Sequence, residues 1–479
     1  MLRVPRSLAV LFTLLLVPTL PATGSGILPS APRLPVVRAN DNREPAGRLR
    51  GNVLTLKLVV QRARWYPQAQ NGPYADVEAF AEEGKAPAIP GPLIRVPAGT
   101  IVEATIRNAL DSAVTIDGFY TRPAATNDSV RLAPGETRTF RFASGAPGTY
   151  LYRGVIGRYR DRSGPPDPDT REREQLAGGI VIDSAGAKRN DRVLVINIWG
   201  GWKDSTHYQN ALAINGKSWP YTERLKATVG DTLRVRVINA SARPHPMHLH
   251  GFYYTIDAQG DIRRDTANSI ERRRLVVTEQ IRQQRTIAMT WTPDRPGNWL
   301  FHCHTGFHVT PAARLDRPLS RHHVNYAHDP GDHMAGLVMG ITVDPGRHWK
   351  AVVEPPARKL RLFVQEGARR GRAPRSLSFV LQRDPVAPRP DSTEPTGSTL
   401  MLTRGEPTDI TVVNRLTEPT GVHWHGIELE SYSDGVVGWS GMGKRVAPLI
   451  APRDSFIALF TPPRAGKFIY HTTGLARAR

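Results

Sequence analysis

The residues best suited to chemistry in this sequence are a cysteine and the histidines around it. Cys303 is the sole cysteine; His302 and His304 flank it, and His308 follows five residues later. A thiolate with two imidazoles is the ligand set of blue copper sites. A lone cysteine cannot form a disulfide within the chain, so its thiol is free for another role. The pattern therefore indicates a copper site.

Three other short runs repeat the theme. Together with the cysteine run they hold nine of the fifteen histidines. These runs are His-Pro-Met-His-Leu-His-Gly at 245–251, His-Trp-His-Gly at 423–426 and Tyr-His at 470–471. Such clustering predicts more than one metal site.

Strand geometry sorts these ligands into two groups, because alternate side chains of a strand point to opposite faces. In an extended segment, His302 and His304 share one face and Cys303 takes the other. The same alternation separates His245 from the two histidines that follow it. The first group is then Cys303, His245 and His308. The second is His248, His250, His302 and His304, with His423, His425 and His471 as candidate partners.

Taken together, the four runs resemble the four copper motifs of the multicopper oxidases, the laccase-like family, and the resemblance extends over residues 48–473. That family oxidises its substrates one electron at a time at a type 1 copper and reduces dioxygen to water at a trinuclear copper cluster. The resemblance implies up to four copper ions as cofactors. It also implies dioxygen and a small reductant, either a phenolic or other aromatic compound or a low-valent metal ion, as partners.

The resemblance also implies a role for each ligand. His245, Cys303 and His308 would bind type 1 copper, and His248 and His423 the type 2 ion. The ligands of the type 3 pair would be His250, His302, His304, His425 and His471. An electron arriving at Cys303 would need only to cross its own strand to reach His302 and His304.

The axial ligand of the type 1 site is less regular. The family usually places it ten residues after the cysteine, which here is Ala313, a residue without a donor atom. Residues 334–337 resemble the family sequence that normally stands there. We therefore interpret residues 311–332 as an insertion and expect Met334 to be the axial sulfur. Met339 is the alternative, although an apolar strand-like context favours a core methionine there.

An acidic residue follows the His-Trp-His run. Asp434 lies eleven residues after His423, where family members often carry an acid near the cluster. A carboxylate in that place can orient a ligand or pass protons to reduced oxygen. The other interpretation is a plain Asp-Gly turn with Gly435.

Composition predicts an all-β fold, and the resemblance implies that this fold consists of three cupredoxin-like Greek-key sandwich domains. The 479 residues suit about three domains, and 42 glycines and 41 prolines favour short strands joined by turns. We expect domains at 48–186, 187–347 and 359–479. The first has no histidine and so no copper ligands. The second would hold the type 1 site and half of the cluster, and the third the other half, a cyclic permutation of the usual laccase order.

The ends of the chain carry two further expectations. Residues 1–24 have the basic start, apolar stretch and small residues of a signal peptide, which predicts a periplasmic or extracellular protein without a transmembrane segment. At the other end, Thr473 stands where the family has its eighth cluster histidine, so the third domain is expected to be incomplete. The net charge of +21 is interpreted as a solvated surface, since no nucleic-acid motif is present.

Three functions are compatible with these residues. The first is a multicopper oxidase. The second is a copper-binding or electron-transfer protein whose turnover is impaired by Thr473. The third is a copper nitrite reductase, which is disfavoured because that class needs only one interfacial copper and would leave histidines unused. The sequence does not define the oligomeric state.

Overall fold

The computed structural model describes residues 33–126, 128–156, 175–202, 207–309, 314–316, 319–320, 335–347, 349–351, 355–356, 358–369, 371 and 375–473. The expected signal peptide lies outside these residues. Within them, helix is confined to two four-residue α-helices, α1 (Gly306–Val309) and α2 (Ser431–Asp434), and a 3-10 helix at Ile270–Arg272. Over the same residues, none of the helices is long and apolar enough to cross a membrane. The all-β prediction is confirmed.

The first part of the chain forms two sheets that share a core. Its strands are β1 (Arg38–Ala39), β2 (Arg48–Arg50), β3 (Val53–Trp65), β4 (Ala75–Glu82), β5 (Ala88–Ile89), β6 (Gly91–Pro97), β7 (Ile101–Asn108), β8 (Val114–Asp117), β9 (Val130–Leu132), β10 (Thr137–Ala143), β11 (Gly148–Ile156) and β12 (Ala177–Asp183). One sheet has the order β1-β5-β4-β3-β7-β10, with β2 paired to β3, and the other β6-β12-β11-β8-β9. Leu56, Ile106 and Tyr152 from the two sheets pack together, as expected for a sandwich.

A second pair of sheets follows. Its strands are β13 (Arg192–Trp202), β14 (His207–Ile214), β15 (Arg224–Thr228), β16 (Leu233–Asn239), β17 (His245–Leu249), β18 (Tyr254–Asp261), β19 (Asp265–Ala267), β20 (Leu275–Val276), β21 (Thr278–Ile281), β22 (Arg285–Trp291), β23 (Gly297–Cys303), β24 (Leu319–Ser320) and β25 (Val338–Asp344). One sheet has the order β19-β18-β22-β16-β13-β14-β24, with β20 paired to β18. The other has the order β15-β25-β23-β17-β21.

The remaining strands form a smaller pair of sheets. They are β26 (Arg358–Glu366), β27 (Leu377–Leu381), β28 (Thr408–Asn414), β29 (Gly421–His425), β30 (Gly441–Met442), β31 (Arg445–Val446), β32 (Ser455–Phe460) and β33 (Ile469–Thr473). One sheet has the order β27-β26-β28-β32, and β29 pairs with β33 alone. β30 instead joins the earlier sheet, where Gly441 pairs with Asn298 of β23. The domain boundaries at 186 and 347–359 stay predictions. β30 follows the second of these boundaries in the chain but pairs with β23, which precedes it.

Two ladders position the histidine runs. β17 lies antiparallel to β23, with Met247 opposite Cys303 and His248 opposite His302. β29 lies antiparallel to β33, with His423 opposite His471. One apolar core continues beneath both ladders, so the four runs are held by a common scaffold.

Gly297 and Ser431 join these two parts of the scaffold. The Ser431 hydroxyl donates to the Asn298 carbonyl (2.6 Å) and accepts from the Gly441 amide (2.8 Å), so α2 is tied to β23. Gly297 has φ +128°, and a Cβ on it would lie 2.3 Å from the Ser431 Cβ. Only glycine fits at this contact without displacing α2.

We therefore predict that Gly297→Ala destabilises the protein. Left-handed backbone strain and the forced contact should together lower the free energy of unfolding by about 3 kcal/mol, measured by urea denaturation. Gly438→Ala is the matched control, because Gly438 also has positive φ (+68°) but a Cβ there meets nothing within 4 Å. That control should cost only about 1 kcal/mol. Equal losses in the two variants would contradict the role given to the Gly297 contact.

Candidate metal centre

Cys303, His245 and His308 converge in the core. β23 ends at Cys303, β17 begins at His245, and α1 carries His308. The Cys303 Sγ lies 3.6 Å from Nδ1 of His245 and 3.4 Å from Nδ1 of His308, and the two nitrogens are 3.2 Å apart. All three side chains are at most 2% exposed. The structure thus brings the first predicted group together as a compact triangle of one sulfur and two nitrogens.

A tight turn returns the chain from the cysteine to His308. The Thr305 amide donates to the Cys303 Sγ (3.5 Å), and the His308 amide donates to the Thr305 carbonyl (2.9 Å). Gly336 packs against this turn, since a Cβ on it would lie 2.5 Å from the His308 carbonyl oxygen. Local hydrogen bonds and one close glycine contact therefore fix His308 beside the thiol.

Hydrogen bonding sets the tautomer of His245. The Ser241 hydroxyl lies 2.8 Å from the His245 Nε2 and 2.8 Å from the Asn239 Oδ1. Because the amide oxygen only accepts, the hydroxyl donates to it and the imidazole donates from Nε2 to the hydroxyl. The Nδ1 lone pair is then left for a ligand at the Cys303 side. No sequence motif identified Ser241 or Asn239 as partners of a ligand, and only their nearness to His245 in the chain could have indicated them.

Burial keeps this group uncharged. It lowers the pKa of His245 to about 2, with the His308 and Arg243 charges acting in the same direction. Burial also lowers the pKa of His308 to about 4 and raises that of the Cys303 thiol. A buried thiol becomes a thiolate when a cation compensates its charge. The donor types and their spacing fit copper.

The second predicted group gathers on the other face of the Cys303 strand. Neighbouring imidazole rings have centroids between 3.9 and 6.1 Å apart. The rings belong to His248, His250, His302, His304, His423, His425 and His471. Most are buried or half-buried, and His304 is the exposed member. Side chains from both ladders therefore meet in one place, and three of them, His248, His250 and His423, have nitrogens close enough to share an ion.

Main-chain carbonyls fix the tautomers in this group. A carbonyl only accepts, so each imidazole facing one must donate from Nδ1, which leaves Nε2 with its lone pair. The pairs are His248 with Val277 (2.8 Å), His302 with Cys303 (2.7 Å), His423 with Asp434 (2.9 Å) and His471 with Thr472 (3.0 Å). The Nε2 atoms of His248, His423 and His471 are buried without a protein partner. Buried lone pairs of this kind are suited to metal ions.

His250 and His302 direct one ring nitrogen each to the same point. Their Nε2 atoms lie 2.9 Å apart. The Nδ1 of His250 donates to the Asp434 Oδ2 (2.9 Å), and the Nδ1 of His302 donates to a carbonyl. Two lone pairs therefore face each other, which is repulsive unless a positive ion lies near both. Burial lowers the pKa of His250 to about 4 and holds that of His302 well below its usual value, which disfavours a proton in that role.

Asp434 contacts one histidine from each ladder. Its Oδ2 accepts from His250 and from the Ser440 hydroxyl (2.9 Å), and its Oδ1 lies 3.3 Å from the His423 Nδ1. Although burial acts to raise the pKa of Asp434, the two imidazoles hold it well below its usual range. Burial acts to lower the pKa of His423, but Asp434 outweighs it and raises that pKa. The buried carboxylate is ionised and orients both rings.

The turn interpretation of Asp434 is also compatible with the structure. α2 ends at Asp434 and is capped by Gly435, which has φ +80°, and a Cβ there would meet the Val422 carbonyl. The same residue pair thus makes a turn and supplies a carboxylate to the histidines.

The axial position stays a prediction. Met334 and Ala313 lie outside the described residues. Met339 is 1% exposed in β25 and pairs with Phe301. Since paired residues share a face and Phe301 shares one with Cys303, Met339 lies on the core face near the first group.

Family models match two parts of the chain. A multicopper oxidase model matches residues 193–313, which contain the His245 and Cys303 runs. A second multicopper oxidase model matches residues 393–478, which contain the His423 and His471 runs. All four runs therefore fall within matched segments.

Curated relatives also match parts of the chain. Copper resistance protein A of Escherichia coli is 38% identical over 76 residues, 16% of this chain and 12% of that protein. Laccase-4 of Trametes villosa is 34% identical over 84 residues, 17% of this chain and 16% of that protein. A probable nitrite reductase-hydroxylamine oxidoreductase fusion protein of Kuenenia stuttgartiensis is 25% identical over 263 residues, 50% of this chain and 28% of that protein. The matched segments span at most 28% of these relatives' lengths.

Solved structures are similar at a lower level of identity. A blue copper oxidase from Nitrosomonas europaea aligns with a TM-score of 0.45 and 20% identity, covering 60% of this chain and 85% of that one. A multicopper oxidase from Campylobacter jejuni aligns with a TM-score of 0.42 and 16% identity, covering 93% of each chain. The two multicopper oxidase models therefore cover the segments that carry the ligand runs, and members of that family bind copper.

Proposed function

We propose that this chain couples one-electron oxidation of a reductant at a type 1 copper to the four-electron reduction of dioxygen to water at a trinuclear copper cluster. The observation that carries the proposal is the division of donors across one strand. Cys303 lies with two imidazoles on one face, and its neighbours His302 and His304 lie in a set of seven imidazoles on the other. Phenolic or other aromatic compounds and low-valent metal ions are the proposed reductants.

Bound copper would supply one-electron redox chemistry at the first group and multi-electron reduction of dioxygen at the second. The chain supplies the connection between them. Cys303 and His302 are consecutive residues, and the His302 Nδ1 also donates to the Cys303 carbonyl (2.7 Å). Both a covalent and a hydrogen-bonded link therefore join the thiol residue to the imidazole set.

Asp434 acts in this proposal as a positioning residue. Its contacts are to His250 and His423, which come from different ladders, so it holds the two halves of the set in register. We also propose that Asp434 moves protons to reduced oxygen, because its ionised carboxylate lies beside the imidazoles.

We retain the three-domain organisation, 48–186, 187–347 and 359–479, as part of the proposal. The grouping of the sheets along the chain supports it, with β30 as the strand that crosses between groups. In this organisation the first domain contributes no ligand, and the cluster forms between the second and third.

A copper-binding or electron-transfer protein with weak turnover is the second candidate. It is favoured by Thr473, which stands in place of the eighth family histidine and pairs with Gly421 at the end of the ladder. A nitrite reductase, which one relative's name suggests, would use a single interfacial copper. Seven clustered imidazoles are more than that chemistry needs.

Copper counting combined with oxygen uptake separates these functions. The oxidase proposal predicts one copper at the first group, three at the second, an intense blue band and oxygen consumption with an aromatic reductant. Cys303→Ser should remove the blue band and the oxygen uptake but keep the copper of the second group. Met247→Leu is the control, since Met247 lies directly opposite Cys303 but has no assigned role. Leucine and methionine side chains have similar volumes, so the core should tolerate this exchange.

The outcomes are distinguishable. A blue band with a single copper and no oxygen uptake would support the electron-transfer candidate. Nitrite consumption without oxygen uptake would support nitrite reduction. A blue band that survives in Cys303→Ser would refute the assignment of the thiolate.

We predict that Asp434→Asn weakens copper binding at the second group without bleaching the blue band. Neutral asparagine can still accept from His250 but no longer supplies the charge that faces His423. Loss of such an orienting partner typically costs about 10- to 100-fold in metal affinity. The measurement is copper retention during titration with a chelator, and Asp384→Asn on an exposed loop is the control. Unchanged retention would mean that the carboxylate does not support the metal ligands.

A further inference from the structure

The chain on either side of the edge strand beside the first metal group is rich in arginine. β21 is the last strand of its sheet and pairs with β17, with Ile281 directly opposite His245. Adjacent strands lie about 5 Å apart, so the surface of β21 is one strand away from a ligand of the proposed type 1 site.

The segment around this strand has an excess of arginine over acidic residues, and three of its five arginines are paired with acids. Residues 269–285 contain five arginines and two glutamates. The arginines are Arg272, Arg273, Arg274, Arg282 and Arg285, and all five are exposed. Glu279 is largely buried and is paired with Arg274 (2.8 Å). Neighbouring acids on β18 also face arginines, Asp261 at 2.7 Å from Arg285 and Asp257 at 3.7 Å from Arg273.

Exposed apolar side chains stand among these charges. Ile270 is 78% exposed and Leu275 is 54% exposed. The 3-10 helix that starts at Ile270 contains no buried residue, so burial in the protein's own core does not explain its apolar side chain. Arginine with exposed aliphatic residues is the composition of a protein-docking surface.

The segment is anchored firmly on the side of the first metal group. The buried Asn239 amide donates to the carbonyls of Ile281 (3.1 Å) and Arg282 (3.0 Å). The Oδ1 of Asn239 accepts from Ser241, whose hydroxyl lies 2.8 Å from the His245 Nε2. Arg282 is therefore held by the same hydrogen-bond network that orients His245.

We propose that the surface formed by residues 269–285 docks an acidic redox protein that delivers electrons to the first metal group. This inference rests on the proposed function and names a class of reductant for it. Charge complementarity selects an acidic partner, and a second copy of this chain, at +21, would be repelled. From Arg274 to Arg282 the chain can span up to about 26 Å. A segment of that length matches the contact surface of a protein partner and exceeds the binding site of a small molecule.

Binding to the copper-free protein provides the first test. The probe is an acidic two-iron, two-sulfur ferredoxin, and affinity is measured by calorimetry at low ionic strength. Arg272→Gln and Arg282→Gln should each weaken binding about threefold, and Ile270→Ser by a similar factor, with the double arginine variant near tenfold. Arg50→Gln, an exposed arginine of β2 in the first pair of sheets, is the control and should change nothing.

The copper-loaded protein provides the second test. The reduced acidic ferredoxin gives up one electron, its cluster passes from the mixed ferric-ferrous to the fully ferric state, and that electron bleaches the blue band under anaerobic conditions. The bleaching rate should fall in the arginine variants, while oxygen uptake with a small neutral aromatic reductant stays unchanged. A wild-type protein that consumes no oxygen would count against the proposed function. The docking proposal would still be tested by the calorimetric affinities.

Three results would overturn the docking proposal. One is equal affinity of the wild type and the double arginine variant for the ferredoxin. Another is equal or tighter binding of a basic cytochrome c. The third is tighter, arginine-dependent binding to vesicles of anionic phospholipid, which would assign the surface to a membrane.

Discussion

The alternation of side chains along β23 is the constraint on which both candidate metal groups depend. An extended backbone sends Cys303 into the core and His302 and His304 to the opposite face. The register of β17 repeats this division, with His245 and His248 on its two faces and His248 opposite His302. Two donor sets of different chemistry are thereby separated by one strand and joined by one peptide unit.

The second donor set cannot be stable as a purely apolar or hydrogen-bonded core. Several of its imidazoles use Nδ1 for main-chain carbonyls and keep Nε2 buried without a partner. One carboxylate, Asp434, is the acid that contacts this set among the described residues. Its single negative charge faces both His250 and His423, and in the proposed function bound copper ions would compensate the remaining lone pairs. Metal binding and the docking of the two ladders are therefore coupled.

Much of this arrangement could be predicted from the sequence because the ligands lie in short motifs. The all-β fold and the family are confirmed, and the structure brings together the two groups that strand alternation had separated, including His471 from the end of the chain. Long-range contacts could not be predicted. Nothing in the sequence placed β30 on β23, or Ser241 on His245, because these contacts depend on how distant strands pack. The axial residue stays a prediction, since Met334 lies outside the described residues.

Anomalous diffraction at the copper edge from crystals of the copper-loaded protein tests the central claim most directly. The account predicts one peak among Cys303, His245 and His308, and three peaks within the group of seven histidines on the other face of β23. A single peak at the first group, or copper bound on only one face of the strand, would contradict it.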